Sequence, residues 1–539
     1  RAEERAVSLK STRRDLTAIL ASRRLRAVSL LSISSGLPLG LVTVAIPAWM
    51  TMVGADIRTV GLMTAAQAPY AFKFLWAPLV DRLGVPGLSG KRGWIFASQI
   101  ALAALTFALA AQAHSPQVGL VAALALLIAL ASATQDIAID AYAVEVLRSD
   151  EQGLAVGTRT ALYRAAMWLS GAIAISVGPL VGWSWTVAAL ALIYLALLPV
   201  TWRSPSPEGT SPPPQTLREA VLAPLIGLWL KPRALEIVAF VLLYKLADNL
   251  AVALVRPFLV QVGFAPIDVG VASGTVGLIA TLLGTFLGGL WTSRLGVGRS
   301  LWVFGLLQAF ANGGYALLAE SGPNRALLYA ATAFDSGASG LGTGAFMVLL
   351  LRLTSKRFSA TQYAVLSSLF AIGRTVAGPV AGVLADALGW RDFFLVTIAF
   401  SAPGLCLLRR FVPWRERDLP TSIEGDGGRD VMCSPLAIER RALVGPVIGG
   451  GILGFALATV ALMATAALKA HRLGEAFSAL DWLMALLKPS SLGAALDLLG
   501  ALACATLLGL TLAAHRAAQL AQRLDSPPKA PEMPATPAG

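Results

Sequence analysis

Apolar runs of about 20 residues, the length that crosses a hydrocarbon core as a helix, recur along this chain from Ala27 almost to its end. Their limits predict spans at 27–49, 59–81, 94–113, 118–147, 155–178 and 182–201. The stretch TWRSPSPEGTSPPPQTLREA then breaks the pattern, and its Pro and Ser content marks a linker. After it, VLAPLIGLWLKP predicts a short helix lying at the membrane interface. Six more spans follow at 234–261, 267–293, 299–319, 326–352, 361–387 and 392–411, and after a second, charged linker two further spans at 442–468 and 490–514. The expected organisation is a polar, basic segment 1–26, a six-helix bundle 27–201, a linker 202–233, a second six-helix bundle 234–411, a linker 412–441, two additional membrane helices 442–514 and a Pro-rich, disordered tail 515–539.

Composition agrees with an all-α polytopic membrane protein. The chain of 539 residues is 56% hydrophobic and 14% charged, with a mean hydropathy of +0.70, whereas soluble domains carry roughly 25% charged residues. The segment before Ala27 is too polar for a signal peptide, and the first residue is Arg1. The net charge of +13 belongs to one side of the membrane rather than to a nucleic-acid surface. Arg13, Arg14, Arg23, Arg24 and Arg26, then Arg82, Lys91 and Arg92, then Arg203, Arg218 and Lys231, then Lys356 and Arg357, and finally Arg409, Arg410, Arg415, Arg417, Arg440 and Arg441 all fall on the same side of a fourteen-span chain. The opposite connections hold few cations, except for Lys469, Arg472 and Lys488 between the last two spans. Positive-inside orientation then places both termini in the cytoplasm.

An internal echo strengthens the two-bundle reading. APLVDRLG with GKRGW follows the second span, and GGLWTSRLGVGRSLW follows the eighth. Two six-helix repeats are the architecture of major facilitator transporters, whose substrate site lies near the midplane between the halves. Other motifs carry less. GGGILG sits in a span and follows no strand, so a nucleotide reading fails; GTFLG and GLGTG read as close-packing faces. No Walker A motif occurs. Cys406, Cys433 and Cys504 have no metal or redox spacing, and His114, His471 and His515 fall at or near predicted helix ends. No cofactor, metal, catalytic constellation or nucleic-acid partner is expected, and a monomer suffices.

The informative residues are the charges inside the spans, where an ionisable group is by default a functional hypothesis and Asp or Glu the usual proton relay. In ASATQDIAIDAY, Asp136 and Asp140 are four residues apart, on one helix face. Either they lie within the fourth span or that span ends early and they mark only a helix end. In YKLAD, Lys245 and Asp248 are three apart and can pair, as a register-setting ion pair or as part of a substrate site. Arg256 follows two turns later. Tyr163 and Arg164, Asp335, Arg374, and the series Gln67, Tyr70, Lys73 and Trp76 add further polar groups. A lining of this kind suits a large polar substrate bearing carboxylates, which Arg and Lys bind well. Trp49, Trp76, Tyr142 and Tyr244 can stack on sugar faces or anchor the interface.

Taken in order, SSGLPLGLVTVAIPAWM, PYAFKFLWAPLVDR with KRGW, SATQDIAIDAY, YKLAD with RPFLVQVGF, and FSATQYAVLSSLFAIGRTVAGPVAG resemble the AmpG-type muropeptide permease family over nearly the whole chain. The resemblance implies a bacterial inner-membrane major facilitator. It implies proton-driven import of GlcNAc–anhydromuramyl peptides, serving peptidoglycan recycling and the induction of β-lactamase. On that reading Asp136, Asp140 and Asp248 are assigned to proton coupling, and Lys73, Arg164, Lys245 and Arg256 to peptide carboxylates. Gln135, Tyr142 and Trp76 are assigned to the sugars, with Tyr244 and Asp335 completing the substrate site. Two positions depart from the family pattern: Ala143, where relatives commonly have a cation, with Glu145 nearby; and Asp335, where they often carry Glu. Two alternatives are a non-transporting assembly factor of the pigment-complex type, which inward-facing charge and the peripheral histidines disfavour, and a transporter of another anionic solute.

Overall fold

The computed structural model describes residues 22–55, 64–88, 90–207, 212–414, 416–420, 422–424, 440–473, 476–489 and 492–524, and the regular elements among them are all helical. In chain order these are α1 (Arg23–Met52), the broken segment α2 (64–82), α3 (Lys91–His114), α4 (Val118–Val146), α5 (Gln152–Val181), α6 (Trp183–Arg203), the short α7 (Leu217–Trp229), α8 (Ala234–Val262), α9 (Pro266–Leu295), α10 (Val297–Ser321), α11 (Arg325–Leu353), α12 (Ser359–Leu388), α13 (Trp390–Phe411), α14 (Arg440–Leu473), α15 (Ala479–Leu487) and α16 (Leu492–Leu524). Among the described residues, twelve helices are long and apolar enough to cross a membrane: all but α2, α7, α12 and α15.

The difference from fourteen expected spans has a physical cause at α2. Pro69 and Pro78 contribute no backbone N–H, and the segment is split into Ala68–Phe72, a 3₁₀ turn at Lys73–Leu75 and Ala77–Arg82. Residues 56–63 of the expected second span lie outside the described residues. Helix α12 runs unbroken for 30 residues across the expected eleventh span, but is not one of the twelve. Helix α4 continues to Val146, so Asp136 and Asp140 lie inside it, and the early-ending alternative fails. Helix α16 continues to Leu524, which puts His515 inside a helix rather than near its end. There His515 meets Trp229 of α7 edge-on, with ring centroids 4.8 Å apart.

Small residues decide which helices touch. A Cβ on Gly36 or Gly40 of α1 would strike the backbone of Tyr163 or Met167 on α5. Gly284 and Gly288 of α9 meet Gly337 and Leu341 of α11 in the same way, so GTFLG and GLGTG pack as expected. GGGILG does likewise for the last two membrane helices: Gly450 lies against Gly509, and Gly454 against Cys504 and Ala505. Three buried cores result. One fills the first six helices around Leu37, Leu102, Ile128 and Tyr194. A second fills α8–α13 around Leu250, Phe258, Tyr315 and Phe394. The third runs from Leu25 through Tyr142, Phe240 and Phe346 to Ala517, joining both halves with α7 and α16.

Candidate functional site

The charges placed inside the spans form two separate buried clusters, one in each half. In the first, Lys73 of α2 sits 3.6 Å from the Asp140 carboxylate, and the Arg159 guanidinium of α5 donates to the same carboxylate. One turn earlier on α4, Asp136 accepts from the Ser35 hydroxyl of α1 and lies within electrostatic reach of Lys73, Asp140 and Arg159. Gln135 donates to Ser34 Oγ at 2.7 Å, and the Trp76 indole donates to Thr134 Oγ1 at 3.2 Å. Thus α1, α2, α4 and α5 converge on two aspartates and two cations.

The second cluster is built on a break in α8. The helix pauses at Tyr244 and Lys245 between Ala234–Leu243 and Leu246–Val262. The Lys245 side chain, only 2% exposed, donates to Asp248 Oδ2 at 3.0 Å, to Gln308 Oε1 at 2.6 Å and to the Ser339 carbonyl at 2.9 Å. Ser339 Oγ also donates to Asp248 at 2.8 Å. Asp335, one turn before Ser339 on α11, accepts from Tyr315 at 3.3 Å and lies within electrostatic reach of Lys245 and Asp248.

The remaining expected site residues are Arg164, Arg256, Tyr142 and Tyr244. Arg164 is half-buried on α5, five residues beyond Arg159. Arg256 is exposed, two turns beyond Asp248 on α8. Tyr142 stands apart from both clusters, whereas Tyr244 lies beside the second, within reach of Gln308 and Asp248. The Tyr142 ring is fully buried and its hydroxyl donates to the Pro205 carbonyl at 2.8 Å. Tyr244 donates to the Leu301 carbonyl at 2.9 Å and stacks on Phe346. Both rings are buried and both hydroxyls are engaged by backbone carbonyls. Trp49, too, is buried in a stack with Trp183.

Between the clusters, the two halves are tied at the end that carries the turns after α2 and α11. The Asp81 carboxylate accepts from Lys91 Nζ at 2.6 Å, from the backbone N–H groups of Ala360 and Thr361 at 3.1 and 2.8 Å, and from Thr361 Oγ1 at 2.6 Å. It thereby caps the start of α12 from the other half, where unpaired N–H groups and the helix dipole favour an anion. Glu145 accepts from Ser359 at 2.6 Å beside it, so the acid beside Ala143 serves the same junction. On the opposite seam, Gly153 and Gly157 of α5 abut Gly289 and Phe286 of α9.

Residues 28–334 match the Major Facilitator Superfamily. The chain is also 40% identical over 381 residues to the Anhydromuropeptide permease of Escherichia coli (strain K12), which covers 70% of this chain and 78% of that protein. The chain belongs to the AmpG-type muropeptide permease family of the major facilitator superfamily. Among solved structures, the Escherichia coli fucose:proton symporter matches with a TM-score of 0.56 at 14% identity, over 72% of this chain and 98% of that one. A proton:xylose symporter matches with a TM-score of 0.56 at 11% identity, over 74% and 97%. At such identities these structures establish the fold alone. Membership of this superfamily makes the chain a transporter, not an enzyme.

Seen as a permease, the molecule uses several residues that the sequence reading passed over. Arg159 is the cation closest to Asp140, and the visible signal was a charge inside an apolar span one helix later. Ser35, Gln308 and Ser339 give no local signal, because each acquires its role through a contact about 60 to 100 residues away. Asp81 and Lys91 were legible as one of the repeated turns, but not as a tie to Thr361, 280 residues on.

The tie at Asp81 predicts a shift in conformational population. Asp81→Ala takes from buried Lys91 its carboxylate partner at 2.6 Å, leaving the Val80 carbonyl at 3.1 Å and Glu145 at 4.0 Å, and uncaps α12. Loss of a helix cap costs about 0.5–2 kcal/mol, and one or two kcal/mol is a factor of roughly 5–30 in a two-state ratio. In a background without native cysteines, Ser293→Cys on the α5–α9 seam should react correspondingly faster with a water-soluble thiol reagent when Asp81→Ala is present. An unchanged labelling rate would show that the tie does not hold this end closed.

Proposed function

We propose that the protein imports anhydro-muropeptides, of the GlcNAc–anhydromuramyl peptide class, by proton-coupled alternating access. On this reading it works as a monomer in the bacterial inner membrane, with two six-helix bundles, two additional C-terminal helices and both termini in the cytoplasm. The observation that carries the reading is the 40% identity, over 70% of the chain, to a protein that bears the name Anhydromuropeptide permease. The buried clusters support it, since they supply both cations for carboxylates and acids for protons.

The mechanism follows from competition for the cations. Lys73 and Arg159 are held by Asp140, and Lys245 by Asp248. A proton arriving on an aspartate cancels the charge that holds its partner. The freed ammonium or guanidinium then recruits a substrate carboxylate, and Arg is the better fork for it. Arg164 and Arg256 extend the same lining. Gln135 and Trp76, each with one hydrogen bond already made, sit where a sugar can displace those contacts. When the proton leaves on the cytoplasmic side, the aspartate reclaims its cation and expels the carboxylate. Substrate and proton thereby bias the two open states only through their different affinity for each. Inside the cell such a product feeds wall recycling and the β-lactamase induction signal that the family resemblance implies.

The test uses protein in liposomes and labelled GlcNAc–anhydromuramyl tripeptide. Uptake is expected to require an inward proton gradient and to collapse with an uncoupler. Folded, inserted protein that takes up none would overturn the substrate class, and attention would pass to another anionic solute or to an assembly role.

A further inference from the structure

The C-terminal cluster holds more polar groups than the ion pair at Lys245 needs. Along one face of α10, Gln308 reaches Lys245 and Tyr315 reaches Asp335. Asn312 stands between them at helical spacing and is 1% exposed, yet neither its Oδ1 nor its Nδ2 has a hydrogen-bond partner among the described residues. Thr332, one turn before Asp335 on α11, is also buried beside the Tyr315 hydroxyl, and its Oγ1 makes no well-formed hydrogen bond among the described residues. Buried amide and hydroxyl groups are almost always satisfied, so an exception points to a ligand or a functional role. Asp335 itself is 4% exposed. Among the described residues no Lys or Arg lies within ion-pair distance of it; Lys245 is spent on Asp248, Gln308 and Ser339. Its hydrogen bond from the Tyr315 hydroxyl, at 3.3 Å, is longer than a strong hydroxyl–carboxylate bond of 2.5–2.7 Å. A carboxyl inside a span needs a cation or a proton to offset the cost of its charge, and among the described residues the cation within electrostatic reach, Lys245, is engaged elsewhere.

We propose that Asp335, Asn312, Thr332 and Tyr315 form a site in the C-terminal half for a small monovalent cation, a proton carried on Asp335 in the proton-coupled reading, with sodium as the other source of the same chemistry. This moves Asp335 from the substrate list to the driving-ion list. It rests on the transport reading for its consequence, but not for its existence. The titratable and charged groups facing the site are Lys245 and Asp248 from α8 and Tyr315 from α10. The two aspartates are like charges, so filling one site favours release of the cation from the other. The second site is thus coupled to Lys245, and through it to substrate.

Exchange of labelled for unlabelled substrate needs no net ion movement, whereas accumulation against a gradient does. Coupling between two ligands is typically about 5–150-fold. Asp335→Asn should therefore lower gradient-driven accumulation at least about fivefold, while exchange stays within about twofold of the parent. Asp335→Glu should restore accumulation, and a sodium gradient in place of the proton gradient identifies the ion. Loss of exchange together with accumulation would make Asp335 a substrate ligand and overturn the proposal, as would full accumulation in the Asn variant. A second readout needs no muropeptide. Infrared difference spectra of the full protein after a pH jump, or on adding sodium, should show a carboxyl change that Asp335→Asn removes. If the parent exchanges no muropeptide, the function proposed above fails, and this spectrum alone decides the site: a difference missing from the parent, or present unchanged in the Asn variant, overturns it.

Discussion

Asp136→Asn is expected to abolish gradient-driven uptake in protein that reaches the membrane folded, whereas Asp140→Asn should cost both uptake and stability. The two residues share a helix face, but their partners differ. Asp136 meets a neutral hydroxyl, Ser35. An Asn there keeps an oxygen for that hydroxyl, and loses the ability to carry a proton together with a negative charge that Lys73 and Arg159 feel at longer range. Asp140 is the counter-ion of both Lys73 and Arg159. Asn at that position leaves two buried cations with one neutral oxygen between them and Asp136, one turn away, as a more distant anion. Removing one partner of a buried ion pair is destabilising by about 3–5 kcal/mol. Measuring proton-driven uptake beside thermal unfolding in detergent separates the two effects. Asp136→Asn should fall near zero in the first and near the parent in the second; Asp140→Asn should fall in both. Arg159→Met should partly repair the stability of the Asp140 variant without repairing uptake, because neutral, well-packed groups replace a buried pair at little cost. Normal uptake by the Asp136 variant would remove that residue from the coupling mechanism.

How much of this was legible from the sequence depends on the range of the interaction. Most of the apolar runs and the placement of Asp136 and Asp140 on one helix are local, and they carried through. So did the pairing of Lys245 with Asp248, three residues apart. What failed to show was partnership at long range. Nothing near Tyr142 says that its hydroxyl is committed to Pro205, 63 residues away. Nothing near Tyr244 says that Phe346 lies flat against it at 5.7 Å. Both aromatics satisfy a local rule for sugar stacking, and neither shows in sequence that its hydroxyl is engaged by a distant carbonyl. The break of α2 was readable in principle, since Pro69 and Pro78 stand in plain view. It was outweighed by the apolar length of the run, which reports hydrophobicity and not helical continuity. The internal echo was half informative. After α2 the acid of the turn, Asp81, is local; after α9 the turn has no acid, and Asp418 from the distant linker receives the Val297 N–H at 3.2 Å in its place.

Lys245→Met is the substitution expected to destabilise the C-terminal half most. It removes one ammonium that serves Asp248, Gln308 and Ser339 at once, and leaves Asp248 with only the Ser339 hydroxyl. The expected loss is again about 3–5 kcal/mol, the cost of an orphaned buried charge. The double variant Lys245→Met, Asp248→Leu removes the orphan as well as the pair. It should recover most of the stability, since apolar replacement of a whole buried pair is often neutral or better, and it should still transport nothing. This pattern distinguishes two roles for the same lysine. If Lys245 only set the register of the broken helix α8, the double variant would regain uptake along with stability. If it only waited for substrate, with no structural tie to Asp248, the single variant would unfold at the parent's temperature and fail in binding alone. A lysine with every donor engaged at rest predicts neither. It predicts a protein that the single change weakens, that the double change repairs in stability, and that remains silent in uptake because the group that trades an internal carboxylate for the substrate's is gone.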